Sequence, residues 1–206
     1  MEAAAFDAMG VLYEVQDDMR ALLIPFARAH GSTLSDRDIG NAYRCAMIGE
    51  LTARELWSAL GVAGDAPDLD REYLSGYRVV PGIPALLDEL RDQGLELGCI
   101  SNDVAAWSLA RSVAHGLDRR IRHWTISSEV GARKPDERMY RAFLTSAGLT
   151  PEGVVFVDDR AVNVDAAAAL GFRTILVDFA ALGQDHPRAA RTVEDLRHAL
   201  RAFTTG

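Results

Sequence analysis

Three short apolar runs in this chain each stop on polar residues: Ala3 to Phe6 on Asp7, Leu95 to Ile100 on Ser101-Asn102-Asp103, and Val154 to Val157 on Asp158-Asp159. Apolar runs of this length, bounded by turn-forming residues, read as buried strands. The stretches between them carry helical spacing, so strands alternate with helices. That order calls for an α/β fold with a mostly parallel sheet and helices on both faces. In open sheets of this kind, ligands bind at the carboxyl ends of the strands. The polar residues that end the three runs are therefore expected to meet at one edge.

From about Glu14 to Arg78 no strand pattern interrupts the helical one. Met19, Leu22, Leu23 and Phe26 recur at three- and four-residue spacing and stop near Gly31. Ser35 precedes a second helix to about Ile48, Thr52 opens a third with Leu56, Trp57 and Leu60, and a fourth lies near Leu69 to Tyr77. A crossover between parallel strands needs only one helix. Four in succession predict an all-helical insert over residues 14–78, set into a core of residues 1–13 and 79–206. Further helices are expected over Ile83 to Gln93, Ala105 to His115, Glu137 to Ala147 and Val164 to Leu170, with short strands at His123 to Ile126 and Thr174 to Val177. Thr192 with Asp195 makes a capping box for a last helix reaching about Phe203. Gln184 to Arg191 is the most linker-like piece.

Composition narrows the partners. The chain has 206 residues, 49% of them hydrophobic and 25% charged, as in a soluble globular domain. A net charge of −8 argues against a phosphate-backbone partner, so no nucleic acid is expected. Cys45 and Cys99 are too few for a disulfide framework. No basic residue precedes the first apolar run and no apolar stretch approaches ~18 residues, so neither a signal peptide nor a membrane span is expected. A cytoplasmic location follows. The histidines show no metal-ligand spacing, and Lys134 is the only lysine. Nothing in the pattern sets an oligomeric state.

Four segments in order resemble the haloacid dehalogenase-like (HAD) superfamily of hydrolases, in the branch whose helical cap is inserted after the first motif. They are Phe6-Asp7-Ala8-Met9-Gly10-Val11-Leu12, Cys99 to Asp103, Ser127 to Asp136 around Lys134, and Val155 to Arg160 with Asn163 and Gly171. The resemblance covers nearly the whole chain and implies a Rossmann-like core with that cap. It makes Asp7 a nucleophile that forms an aspartyl-phosphate. Ser101, with the backbone around Asn102, would hold phosphoryl oxygens, and Lys134 would offset charge on nucleophile and phosphoryl group. Mg²⁺ is the implied cofactor, placed by Asp7, the Met9 carbonyl, Asp158 and Asp159, with Asp159 as direct ligand and Asp158 acting through water.

One position departs from that pattern. Phosphatases of the superfamily carry a second aspartate two residues after the nucleophile, to protonate the leaving group; here that position is Met9. Losing a general acid costs roughly 10²–10⁴-fold in rate, so alkyl phosphate monoesters are expected to be poor substrates. Three readings stay open: a Mg²⁺-dependent phosphoryl-transfer hydrolase acting on a small phosphorylated molecule, a catalytically silent member binding a phospho-ligand or partner, and a metal-independent dehalogenase-like enzyme. The acid pair Asp158-Asp159 speaks against the last, whose members lack it. Substrate choice is expected in the cap, where Tyr13, Arg20, Tyr43, Arg44 and Trp57 are candidates.

Overall fold

A computed structural model describes residues 1–179 and 189–204. Residues 184–188 of the linker-like segment, including His186, lie outside the described residues. Five parallel strands form one sheet in the order β3-β2-β1-β4-β5. They are β1 (Ala3–Phe6), β2 (Glu96–Ser101), β3 (His123–Ile126), β4 (Val154–Asp158) and β5 (Arg173–Leu176). β1 is central: Phe6 lies level with Cys99 on one side and with Val157 on the other. The chain runs outward from β1 through β2 to β3, then returns to add β4 and β5 on the other flank. The strand order therefore reverses between β1 and β4, where open α/β sheets leave a crevice.

Alternate strand residues face opposite layers. Ala4, Phe6, Leu97, Cys99, Val155 and Val157 join one apolar cluster; Ala3, Ala5, Ile100, Val154 and Phe156 join another. The second cluster is covered by α8 (Glu137–Ala147) and α9 (Ala161–Ala169). Gly98 permits the close seat of α8, since a Cβ there would collide with the Phe143 ring. The first is covered by α5 (Ile83–Asp92), α6 (Ala105–Ala114) and α10 (Val193–Thr204).

Residues 14–78 contain helices and no strand: α1 (Ile24–Ala29), α2 (Asp36–Met47), α3 (Ala53–Ala59) and α4 (Ala66–Leu74). Ser35 caps α2 by accepting from the Asp38 N–H, and Thr52 with Glu55 closes a capping box on α3. The first expected helix differs in kind, because Met19–Leu23 forms a π-helical turn ahead of α1. A one-turn helix, α7 (Ser127–Val130), was not expected, and α9 starts a turn earlier than its alanine run suggests. The apolar residues of α2 to α4 belong to the same cluster as Leu12, Tyr13 and Trp107, so these helices share one apolar core with this layer of the sheet. Trp57 and Trp107 lie 5.1 Å apart between ring centroids, tilted by 39°, and both donate to Asp70 Oδ1, at 2.7 and 2.6 Å. Among the described residues no helix is long and apolar enough to cross a membrane.

Candidate active site

β1 hands over to Asp7, whose N–H donates to Val157 O on β4 at 2.8 Å, so the acid prolongs the sheet at the point of reversal. Gly10 then turns the chain back with φ +75°. A Cβ at that position would collide with the Asp159 carboxylate, so the loop after Asp7 closes directly onto the end of β4. Asp158 is the last residue of β4, and Asp159 follows it.

Lys134 lies between two of these acids. Its Nζ is 2.7 Å from Asp7 Oδ1 and 2.8 Å from Asp158 Oδ2. Asn102 holds the lysine's backbone at both ends: Lys134 N–H donates to Asn102 Oδ1 at 2.7 Å, and Asn102 Nδ2 donates to Lys134 O at 3.1 Å. The fully buried Asp158 also accepts from Asn163 Nδ2, 3.0 Å from each oxygen, and from the Arg160 N–H at 2.8 Å. Asp7 Oδ1 accepts additionally from the Ala8 N–H at 2.6 Å, which leaves Oδ2 without a partner among the described residues. One carboxylate oxygen from each of Asp7, Asp158 and Asp159 lies within 4.8 Å of the others.

Packing three acids around one amine leaves negative charge uncompensated. Burial, partly offset by Lys134, pushes the Asp7 carboxyl up to about 8. Burial and then the Asp158 charge push Asp159 up to about 7. For Lys134, burial works against the ammonium, but Asp158 and Asp7 outweigh it and hold the amine protonated. Carboxylates raised this far by burial and mutual repulsion are ionised again by a nearby cation. Three hard oxygen donors with no thiolate or imidazole beside them match the preference of Mg²⁺.

A cavity of about 400 Å³ opens over this point. Asp7, Met9, Asn102 and Asp159 line it; Ser101, Lys134 and Asp158 sit behind that lining, nearly or fully buried. Ser101 Oγ is buried with no hydrogen-bond partner among the described residues. Of the expected cap residues, Tyr43 and Arg44 line the cavity. Tyr13 is buried under the Arg111 guanidinium, Arg20 is exposed beside Asp17, and Trp57 is committed to Asp70. Sequence reasoning passed over Gln16, Asp17, Asp18 and Arg133, which also line the cavity. Asp18 is fixed there by the Tyr43 and Tyr77 hydroxyls, at 2.7 and 3.0 Å. The available signal was the polar run Gln16-Asp17-Asp18 so soon after β1, and the cation adjoining Lys134.

The chain is similar to characterised proteins along most of its length. Residues 1–171 match the family model described as haloacid dehalogenase-like hydrolase. A phosphoserine phosphatase of Thermus thermophilus is 33% identical over 167 residues, covering 76% of this chain and 67% of that protein. Among solved structures, a HAD phosphatase from Thermococcus onnurineus superimposes with a TM-score of 0.74 at 18% identity, over 97% of this chain and 98% of that one. A HAD family enzyme of Bacteroides thetaiotaomicron, solved as a magnesium complex, gives 0.72 at 18% identity, over 90% and 97%. At such identities the structural matches speak for the fold. The family match and the phosphatase relative speak for more, and with the four motifs brought to one sheet edge they identify this chain as a phosphatase-like member of the haloacid dehalogenase-like hydrolases.

Proposed function

We propose that the protein is a Mg²⁺-dependent hydrolase of small phosphorylated molecules, working through an aspartyl-phosphate on Asp7. The observation that carries the reading is the meeting of Asp7, Asp158 and Asp159 within 4.8 Å around the Lys134 amine, beneath a cavity of about 400 Å³. Cavities of that size take small ligands. In this reading residues 14–78 act as the cap, residues 1–13 and 79–206 as the core, and the protein works in the cytoplasm.

Each group of the site has a task that follows from its position. Lys134 Nζ, with the Ala8 N–H, holds Asp7 Oδ1 and so orients the free Oδ2 toward the cavity as nucleophile. Oδ2 forms a bond to phosphorus as the bond to the leaving oxygen breaks, and the electron pair departs with that oxygen. Water then attacks the phosphorus of the acyl phosphate, which releases inorganic phosphate and restores the carboxylate. The buried, unpartnered Ser101 hydroxyl is available to donate to a phosphoryl oxygen. Asn102 positions Lys134 through its backbone. Asp7, Asp159 and the Met9 carbonyl would hold Mg²⁺ directly. Asp158, its oxygens already engaged by Lys134, Asn163 and Arg160, would act behind them. When bound, the ion supplies positive charge against the phosphoryl oxygens and the carboxylates. The magnesium complex solved for the relative from Bacteroides thetaiotaomicron supports this choice of ion.

Met9 has no proton to transfer, so position 9 gives the leaving group no help. Substrates whose leaving group departs as a stable anion, such as aryl or acyl phosphates, suit the site as read. The test is turnover of an aryl phosphate with Mg²⁺ present and then chelated, in the wild type and in Asp7→Asn. Activity that needs both the ion and Asp7 is expected. Substantial turnover in a folded Asp7→Asn would rule out the covalent route. Absence of both turnover and Mg²⁺ binding in the wild type would favour a silent binding protein, and chelator-resistant release of halide from 2-haloacids would favour a dehalogenase.

A further inference from the structure

The Lys134 amine is held between Asp7 and Asp158, but the cation next to it in the chain is not so held. Arg133 is half-buried, lines the cavity, and makes no hydrogen bond or ion pair among the described residues. Its Nε is buried with no acceptor. Other sheltered arginines of this chain are held: Arg111 by Asp103, Arg120 by Asp88, Arg197 by Glu89. Withdrawing a guanidinium from water without a counter-charge is costly, and arginine cannot shed its proton to escape that cost.

The surroundings of Arg133 are cationic. Arg44 and Arg160 line the same cavity, and neither pairs with a carboxylate among the described residues; Arg44 reaches only the Asn41 side chain. Burial disfavours the charge on Arg133, and Arg44 and Arg160 add to that, while Tyr43 and Asp18 act the other way. Of the other acids that line the cavity, Asp17 pairs with Arg20, Asp18 is held by two tyrosine hydroxyls, and Asp7 and Asp159, the latter eased by the Arg160 charge, belong to the acid cluster around Lys134. Three arginines with no carboxylate ion pair among the described residues thus line a cavity whose floor is the phosphoryl-transfer point.

We propose that Arg133, flanked by Arg44 and Arg160, receives a second anionic group on the substrate, a carboxylate or a further phosphate, one residue away from the amine that orients the nucleophile. The inference rests on the hydrolase reading and narrows it: the preferred substrates are small phosphorylated molecules that carry a second anionic group. A planar guanidinium takes either anion by paired N–H donors, so the chemistry recognised is the same for both. Seating that group also fixes where the phosphorus lies relative to Asp7 Oδ2, so its loss acts on binding before it acts on chemistry.

The test compares ethyl phosphate, 2-phosphoglycolate and ethane-1,2-diyl bisphosphate, which share a two-carbon frame and differ in the second group. Calorimetric titration with Mg²⁺ uses Asp7→Asn as a non-hydrolysing background, so it reads the receptor whether or not the wild type turns these esters over. Adding Arg133→Gln is expected to weaken at least one bis-anionic ligand by roughly 10- to 100-fold and ethyl phosphate by less than about threefold. Arg133→Lys should recover part of the loss, and circular dichroism of each variant checks the fold. Which of the two bis-anionic ligands loses more tells carboxylate from phosphate. An equal loss for ethyl phosphate, no loss for either bis-anionic ligand, or no binding of them to the Asp7→Asn background overturns the proposal. Aryl phosphate turnover by the wild type, measured separately, tests the hydrolase reading on its own.

Discussion

Met9 lines the cavity with Asp7 and Asp159 and is 8% exposed, so a shorter acidic side chain at that position would face the same space. Met9→Asp would restore a proton donor two residues after the nucleophile. Turnover of an alkyl phosphate is expected to rise, up to the roughly 10²-fold at the low end of general-acid catalysis, while an aryl phosphate, whose leaving group needs no proton, changes little. The new carboxylate would join Asp7 and Asp159, both already raised by burial and by neighbouring acids. Met9→Asp should therefore melt below the wild type in chelator and recover most of the difference when Mg²⁺ is added. Kinetics on the two ester classes, with melting curves in both buffers, check the pair of effects. Equal rate changes for alkyl and aryl esters would show that position 9 is remote from the leaving group.

Between elements, one acceptor ties residues 14–78 to the core through two indoles. Asp70 on α4 takes the indole N–H of Trp57 on α3 and of Trp107 on α6, inside an aromatic group that includes Tyr73 at 4.8 Å from Trp107. Asp70→Leu would leave both donors without a partner, at about 1–3 kcal/mol for each that stays buried. A drop in urea midpoint corresponding to roughly 2–4 kcal/mol is expected, with a smaller one for Asp70→Asn, which keeps an acceptor oxygen. An unchanged midpoint in Asp70→Leu would mean that water takes over both indoles. Much of this scale was legible beforehand, because caps are local: Ser35, Thr52 with Glu55 and Thr192 with Asp195 all cap as their spacing implies. The strand ends were legible too, since an apolar run stopping on Asp7 or Asp158 can only end at the sheet edge. What the residue order did not reveal are features set by packing across the chain. The π-helical turn at Met19–Leu23 has no local signature, and neither do the Asp18 anchorage by Tyr43 and Tyr77 or the choice of Tyr43 over Trp57 as cavity lining.

For the molecule as a whole, folding gathers acids that the unfolded chain keeps apart, and this sets how stability follows pH. Asp7 and Asp159 titrate near 8 and 7 in the fold, against 3.8 for an unhindered aspartate. Between about pH 4 and 8 the folded state therefore holds more protons than the unfolded one, and without metal its stability falls as pH rises through that window. Asp18 and Asp103 are also raised by burial and add to the same slope. Magnesium separates the two sets, because it competes with protons only where the carboxylates converge. The gain in melting temperature on adding Mg²⁺ is expected to be small at pH 5 and to grow toward pH 8. At a hundredfold excess over its dissociation constant it reaches about 2.7 kcal/mol, or about 5–10 °C for a chain of this size. Asp159→Asn should reduce that gain while leaving the slope from Asp18 and Asp103 in chelator. Melting curves at pH 5, 6, 7 and 8, with EDTA or with Mg²⁺, measure both quantities. A magnesium gain that is absent, or equal at pH 5 and pH 8, would mean that the three carboxylates do not act as one cation site, and the charge they share would then have to be offset by Lys134 alone.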